Sequence, residues 1–328
     1  MTPHRVGVVG SGRVGRETAR LLVLHPGDHR IPVEFRRVDR RAAVGESPYS
    51  GSGGIRRRRE RRKDLEGLDT VVLCGPQDVQ MLQAGTALAA GCNVVACVDS
   101  WSVIEELRTL HDFAAEMGRT VVLSVAASVG WGVILAAHGA DLVGSIDEVS
   151  VASVGVAGPE CRARRVHALR TEGHEWVDGH WESSAAFSGI ELVWFPPPIG
   201  AVDCTRGDLA EVRLVLDAVP LAARVVAKGA VAPTGRVGRL KRSRDAASPS
   251  VTVVTVSGCV EANECSTTYS VVGDAALSSA VLAAEAVELL SGGVEGGVRG
   301  LLDLASAERW LRAGRAAGLR LLAFDQPN

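Results

Sequence analysis

The chain has 328 residues, 46% hydrophobic and 23% charged, which excludes a wholly disordered protein and supplies apolar material for two domains. Its 36 basic and 38 acidic side chains leave a net charge of −2, which argues against a dedicated nucleic-acid binder. The 7 cysteines are odd in number and show no CxxC spacing, so they read as free thiols of a reducing compartment, without disulfides or a structural metal site.

In chain order, Val6 to Val9 reads as a strand, followed by a glycine turn and an amphipathic helix from Arg13 to Leu24. The N-terminus enters this strand without a charged leader, and no apolar run reaches ~18 residues, so a soluble cytoplasmic protein that does not engage membranes is expected. Val33 to Val38 is a second strand, ending at Asp39. Gly45 to Gly54 has loop composition, and the run Arg56 to Lys63 (RRRRERRK) reads as a solvated charged surface. Thr70 to Cys74, Asn93 to Val98 and Thr120 to Val125 are three further strands, separated by helices over Val79 to Ala90 and Val103 to Met117. This alternation predicts an α/β fold with a Rossmann-type, doubly wound parallel sheet.

A helix is expected over Val133 to Leu142, and then the rhythm changes. Strand-like runs follow at Glu148 to Val156, Arg165 to Arg170, Glu191 to Phe195, Arg224 to Lys228, Val251 to Val256 and Ser266 to Val272. Asp178-Gly179 between Glu175-Trp176-Val177 and His180-Trp181-Glu182 is a hairpin signal. These predict a second, mainly antiparallel α+β domain. Helices over Ala275 to Leu290 and Ser306 to Ala317 are expected to return to the first domain. The expected boundaries are 1–128 for a dinucleotide-binding domain completed by 275–328, and 129–274 for a substrate and dimerisation domain.

Gly10-Ser11-Gly12-Arg13-Val14-Gly15 is a GxGxxG motif between a predicted strand and a predicted helix, the context in which that pattern binds a dinucleotide. Gly10 allows the tight turn, Gly12 the approach of a pyrophosphate, and Gly15 the packing of helix on strand. Backbone N–H groups at the helix start then face the phosphates. Asp39 stands 24 residues after Gly15, where an acidic side chain meets the adenosine ribose. It favours NAD, whereas Arg40 and Arg41 favour the 2′-phosphate of NADP, so the cofactor reads as NADP or NAD. Cys74, Gly75 and Pro76 close the third strand and Val98 the fourth, on the sheet edge where a nicotinamide ribose would lie.

Asp99 ends the fourth strand, placed to orient a substrate ammonium or to act as general acid or base; the alternative is a helix cap. Trp131 follows the fifth strand and is a candidate to cover the nicotinamide and substrate, so it joins Asp99 as a catalytic candidate. Ser100 and Ser128, beside them, are candidate substrate-binding residues. His167, His174 and His180 lie near Glu175 and Asp178, but no ligand spacing groups them, and no metal site is expected.

The first domain resembles the saccharopine dehydrogenase and saccharopine reductase family, which is related to meso-diaminopimelate dehydrogenase. The resemblance rests on VGVVGSGRVGRETARLL, on LDTVVLCGP around Cys74 to Pro76, on ALAAGCNVVACVDS ending at Asp99-Ser100, and on GRTVVLSVAASVGWG. Phe195 to Cys204 (FPPPIGAVDC) looks like the FPxPxG segment of such proteins. It implies NAD(P)-dependent oxidation or reduction at a carbon–nitrogen bond of an amino acid or imine, in a homodimer. Relatives carry an Asp-Pro-Gly turn after the fifth strand, where this chain has Ala127-Ser128-Val129-Gly130-Trp131-Gly132. Without that Asp, two other readings stay open: a redox-neutral enzyme with tightly bound NAD, and a non-catalytic cofactor-binding protein.

Overall fold

The structure is a computed structural model that describes residues 4–24, 33–37, 62–231, 249–261 and 263–325. Asp39, Arg40, Arg41, the Gly45 to Gly54 stretch and Arg56 to Arg61 lie outside the described residues. The chain begins with β1 (His4–Val9), α1 (Arg13–Leu24), β2 (Val33–Arg37), α2 (Arg62–Leu65) and β3 (Thr70–Leu73). A 3₁₀ turn at Gln77–Val79 leads into α3 (Gln80–Ala89), followed by β4 (Asn93–Ala96), α4 (Trp101–Arg108), α5 (His111–Glu116), β5 (Thr120–Val122) and α6 (Ala127–Ala140).

Val71, Val72, Val94, Val95, Val121 and Val122 are fully shielded, as in strands of a parallel sheet covered on both faces. The helix predicted over Val103 to Met117 is two helices. Thr109 ends α4, its hydroxyl donating to the Glu106 carbonyl at 2.7 Å, and α5 starts after Leu110. α6 starts six residues before its predicted start at Val133, because Gly130 and Gly132 obscure the helical signal there. Two glycines of α6 serve close packing. A Cβ on Gly130 would lie 2.5 Å from Leu282 Cδ1, and one on Gly139 would lie 2.7 Å from Val256 Cγ2.

The second half runs β6 (Ser145–Val154), α7 (Pro159–Leu169), β7 (Gly173–Val177), β8 (His180–Ser184), β9 (Glu191–Phe195), β10 (Gly200–Cys204), α8 (Glu211–Ala218) and β11 (Arg224–Ala230). It continues with β12 (Pro249–Val260), β13 (Asn263–Asp274), α9 (Ala275–Ser291), β14 (Gly297–Arg299), α10 (Leu301–Leu304), α11 (Ala307–Ala316) and β15 (Arg320–Asp325). The predicted strand Arg165 to Arg170 is overturned: these residues fall in and just after α7, which Pro159 opens in the first helical turn where its missing N–H costs nothing. The hairpin at Asp178-Gly179 forms, with φ of 46° and 88° at its two turn residues, the pattern of a turn that matches strand twist.

The first sheet has the order β14-β5-β4-β3-β1-β2 and is parallel throughout. The second has the order β15-β13-β12-β6-β11-β7-β8 and is antiparallel except where β11 runs parallel to β6. The hairpin β9–β10 is a third, two-stranded sheet whose Phe195 and Cys204 pack on Val154, Val251 and Val253. After the second sheet the chain returns to the first: α9 packs on α1, and β14 pairs with β5. The last strand, β15, then crosses back to pair with β13 in the second sheet. α6 lies against α9 on one side and β6, β12 and α8 on the other, so it is a shared core of the two halves.

Candidate active site

The glycine motif sits where β1 ends and α1 begins, on the carboxyl edge of the parallel sheet. Its glycines answer to different constraints. Gly10 has φ +125°, and a Cβ there would lie 2.7 Å from the Cys74 carbonyl. A Cβ on Gly15 would overlap the Gly10 carbonyl oxygen. Gly12 is exposed, and nothing lies within 4 Å of where its Cβ would be. The chain's own packing therefore requires Gly10 and Gly15, while Gly12 leaves bare backbone facing open space at a helix N-terminus. That is the arrangement a dinucleotide pyrophosphate needs, so the residues present fit such a cofactor.

Val14 of this motif also lines a narrow groove of about 70 Å³ between the sheet edge and the second half of the chain. Gln77, Cys97, Asp99 and Ser128 face it from the parallel-sheet side, and Cys161, Arg164 and Arg165 of α7 face it from the other. Asp99 stands at the centre of its polar network. Gln77 Nε2 donates to Asp99 Oδ1 at 2.7 Å, and Arg164 Nε donates to the same oxygen at 3.1 Å. Gln77 is itself buried and fixed, its Oε1 accepting the Ser100 N–H at 3.2 Å. Asp99 is not a helix cap: Ser100 occupies that position at α4, and no side chain caps its first turn.

Arg165 is more deeply committed. It donates to the buried Glu211 carboxylate at 3.2 Å and to both the hydroxyl and the carbonyl of Ser153. Arg164 also donates to Cys161 Sγ at 3.5 Å. Burial disfavours the Arg164 charge, but Asp99 and Cys161 outweigh it and hold the guanidinium above its ordinary range. The thiols of Cys74 and Cys97 lie 3.6 Å apart. The hydrogen bond to Cys74, then burial, push the Cys97 thiol well up. Burial and then the Asp99 carboxylate push Cys161 up. The Cys97 and Cys161 thiols are thus mostly protonated at neutral pH and line the groove as weakly polar surface.

Trp131 does not line the groove, which corrects its placement over a nicotinamide. Its indole is 1% exposed, donates to the Ser278 carbonyl at 3.1 Å, and packs against Gly314 of α11. The reason is the early start of α6, which carries Trp131 past the sheet edge into the shared core. The Arg13 side chain is likewise taken, by Asp274 at 2.6 Å and the Ala157 carbonyl, which leaves backbone as what the 11–14 segment offers a phosphate. Ser100 does not line the groove, its hydroxyl lying 3.0 Å from that of Ser102, and the Val98 side chain is fully buried. Ser128 does line it, from the first turn of α6. Gln77, Cys97, Cys161, Arg164 and Arg165 are among the groove residues that sequence reasoning missed. The Gly158-Pro159 pair, a helix-start signal, was the available clue to the last three.

Among the described residues no group of three or more His, Cys, Asp or Glu side chains could hold a metal ion, and no helix is long and apolar enough to cross a membrane.

No family model and no curated protein sequence matches the chain. Its fold matches solved structures. Apo saccharopine dehydrogenase (L-Glu forming) from Saccharomyces cerevisiae superposes with a TM-score of 0.69 at 12% identity, covering 99% of this chain and 100% of that one. DAP dehydrogenase from C. glutamicum in complex with DAP gives 0.52 at 14% identity, covering 92% of this chain and 94% of that one. An engineered D-amino acid dehydrogenase bound to NADP+ gives 0.53 at 15% identity, with the same coverage. The chain therefore shares the fold of saccharopine dehydrogenase and DAP dehydrogenase.

Proposed function

We propose that the chain is a nicotinamide-dependent oxidoreductase acting at a carbon–nitrogen bond of an amino acid or the corresponding imine. The observation that carries this reading is the continuity of the open Gly12 backbone, through Val14, with a groove that presents a carboxylate, Asp99, opposite a guanidinium, Arg164. The dehydrogenases that share the fold support it.

The N–H groups of the Gly10 to Gly15 segment would hold the pyrophosphate of NADP or NAD, with Cys74, Gly75 and Pro76 beside the ribose. When bound, the nicotinamide supplies the two-electron exchange at carbon. The chain's own residues then hold and orient. Asp99 accepts the N–H protons of a substrate ammonium or protonated imine, and its charge keeps that nitrogen cationic while the carbon changes oxidation state. Gln77, held by the Ser100 N–H, keeps the Asp99 carboxylate in place. Ser128 offers a hydroxyl from the first turn of α6. The apolar Val14, Ala126 and Ala127 exclude water around these charges and strengthen them.

The test is reduced-nicotinamide formation on a panel of amino acids of both hands, with NADP+ and NAD+, and its consumption on the matching keto acids with ammonia or amines. The reading expects turnover on at least one member that falls at least about 100-fold in Asp99→Asn, a general acid–base or electrostatic loss. Turnover only on alcohols or sugars, or none with any substrate, would refute it.

A further inference from the structure

We propose that Cys74 and Cys97 are a redox modification site: a hydroperoxide joins them in a reversible disulfide, and that bond weakens the hold of the adjacent glycine turn on its dinucleotide. The second half of this statement rests on the oxidoreductase reading above; the crosslink itself does not.

Among the described residues this is the one pair of cysteine sulfurs in contact, at 3.6 Å, and both thiols are free. The parallel sheet sets their position. Leu73 of β3 stands opposite Ala96 of β4, and the Cys97 N–H donates to the Leu73 carbonyl at 3.0 Å, so the ladder runs on by one residue to Cys74 and Cys97. Neighbouring strands lie about 4.8 Å apart, inside the ~4.4–6.8 Å that separates the Cα atoms of a disulfide. Both side chains are partly exposed, and Cys97 lines the groove, so a small oxidant reaches the pair. Cys92 and Cys204 differ: each is buried, and burial pushes each thiol up to about 11.

The chemistry balances with hydrogen peroxide as oxidant. The Cys74 sulfur attacks the O–O bond and keeps one oxygen as a sulfenic acid, while the other oxygen leaves with the Cys74 proton as water. The Cys97 sulfur then attacks the Cys74 sulfur. The S–S bond forms, the S–OH bond breaks, and the hydroxide departs with the Cys97 proton as a second water. The two thiols lose two electrons, and the peroxide takes both. The hydrogen bond that keeps Cys97 protonated places that proton beside the leaving oxygen.

The crosslink acts on the cofactor edge because Cys74 is the floor of the glycine turn. Its N–H donates to the Val9 carbonyl at 2.7 Å, and its carbonyl carbon lies 2.7 Å from where a Gly10 Cβ would be. Its own Cβ lies 3.5 Å from where that of Gly15 would be. The buried Gln80 ties the two strand ends together, its Nε2 donating to the carbonyls of Gly75 at 3.0 Å and Cys97 at 3.5 Å. A disulfide draws the sulfurs from 3.6 Å to about 2.05 Å, and a close-packed site passes that movement to the turn above.

The test treats the reduced, dinucleotide-free full chain with hydrogen peroxide. Peptide mass spectrometry without reduction maps the crosslinks. Calorimetric titration with NADP+ and NAD+ follows affinity before oxidation, after it, and after dithiothreitol. The expected result is a Cys74–Cys97 crosslink, an affinity at least about tenfold lower in the oxidised chain, and recovery on reduction. In Cys97→Ser the sulfenic acid has no thiol to meet and should be trapped on Cys74 by dimedone. In Cys74→Ser no crosslink should form, and the variant's affinity before and after peroxide should agree. No crosslink, pairing through Cys161 instead, or a crosslink that leaves affinity intact overturns the inference while the oxidoreductase reading stands. If the reduced chain binds neither dinucleotide, that reading falls and the switch falls with it.

Discussion

Arg13 Nη2 lies 2.6 Å from Asp274 Oδ2, and the other oxygen of Asp274 accepts the N–H groups of Ala276 and Leu277 at 2.9 and 3.2 Å. One carboxylate thus caps α9 and anchors the start of α1, residues 261 positions apart in sequence. The variable position after Gly12 in the glycine motif is used to fasten the N-terminal loop to the helix that returns from the second sheet. Both side chains are about one-fifth exposed, which places the pair between a surface and a buried bridge.

Asp274→Ala removes both the cap and the anchor, and it should cost ~2–5 kcal/mol, the sum of a lost helix cap and a charge-assisted bond. Arg13→Ala should cost less, since the cap survives. Urea denaturation of the two variants checks the order.

Gly12 and Gly15 should separate binding from folding. Gly12→Val meets open space, so the fold should persist while affinity for NADP and NAD falls at least about tenfold. Gly15→Ala pushes a methyl into the Gly10 carbonyl and should destabilise by ~1–3 kcal/mol or more. Calorimetry and thermal unfolding of both variants would expose a misplaced site if Gly12→Val bound cofactor normally.

Trp131→Ala should act on stability, not chemistry. Removing a fully buried indole between α6, α9 and α11 should cost ~3–5 kcal/mol. The fraction that remains folded should keep its cofactor affinity. A stable variant with selective loss of turnover would return Trp131 to the active site.

Alkylation of Cys161 reports the Asp99 charge. Burial and the carboxylate both favour the protonated thiol, so Asp99→Asn should lower the Cys161 pKa and increase its thiolate at a given pH. Burial persists in the variant, so the thiol should still titrate above an ordinary cysteine. The pH profile of iodoacetamide labelling at Cys161, followed by peptide mass spectrometry, should shift to lower pH in Asp99→Asn. An unchanged profile would separate the two groups.

What could be read from the sequence divides along the range of the interactions involved. The glycine motif and Asp99 were legible because a strand end and a turn fix them locally. β14 was not, since three residues become a strand only by pairing with β5. Trp131 was misplaced because Gly130 and Gly132 look like a loop, whereas they are helical positions kept small by Leu282 and Val151. Arg164 stayed hidden because the stretch beginning at Arg165 has strand-like apolar spacing, and only Gly158-Pro159 marks the helix. Its pairing with Asp99, 65 residues away, follows from how the two halves meet, which local pattern does not encode.

The most direct measurement is a crystal structure of the chain with NADP+ or NAD+ bound. The account predicts the pyrophosphate against the Gly12 backbone and the nicotinamide ring in the groove, its reactive face turned toward the space between Asp99 and Arg164. A dinucleotide seated away from the Gly10 to Gly15 turn, or a nicotinamide outside that groove, would contradict it.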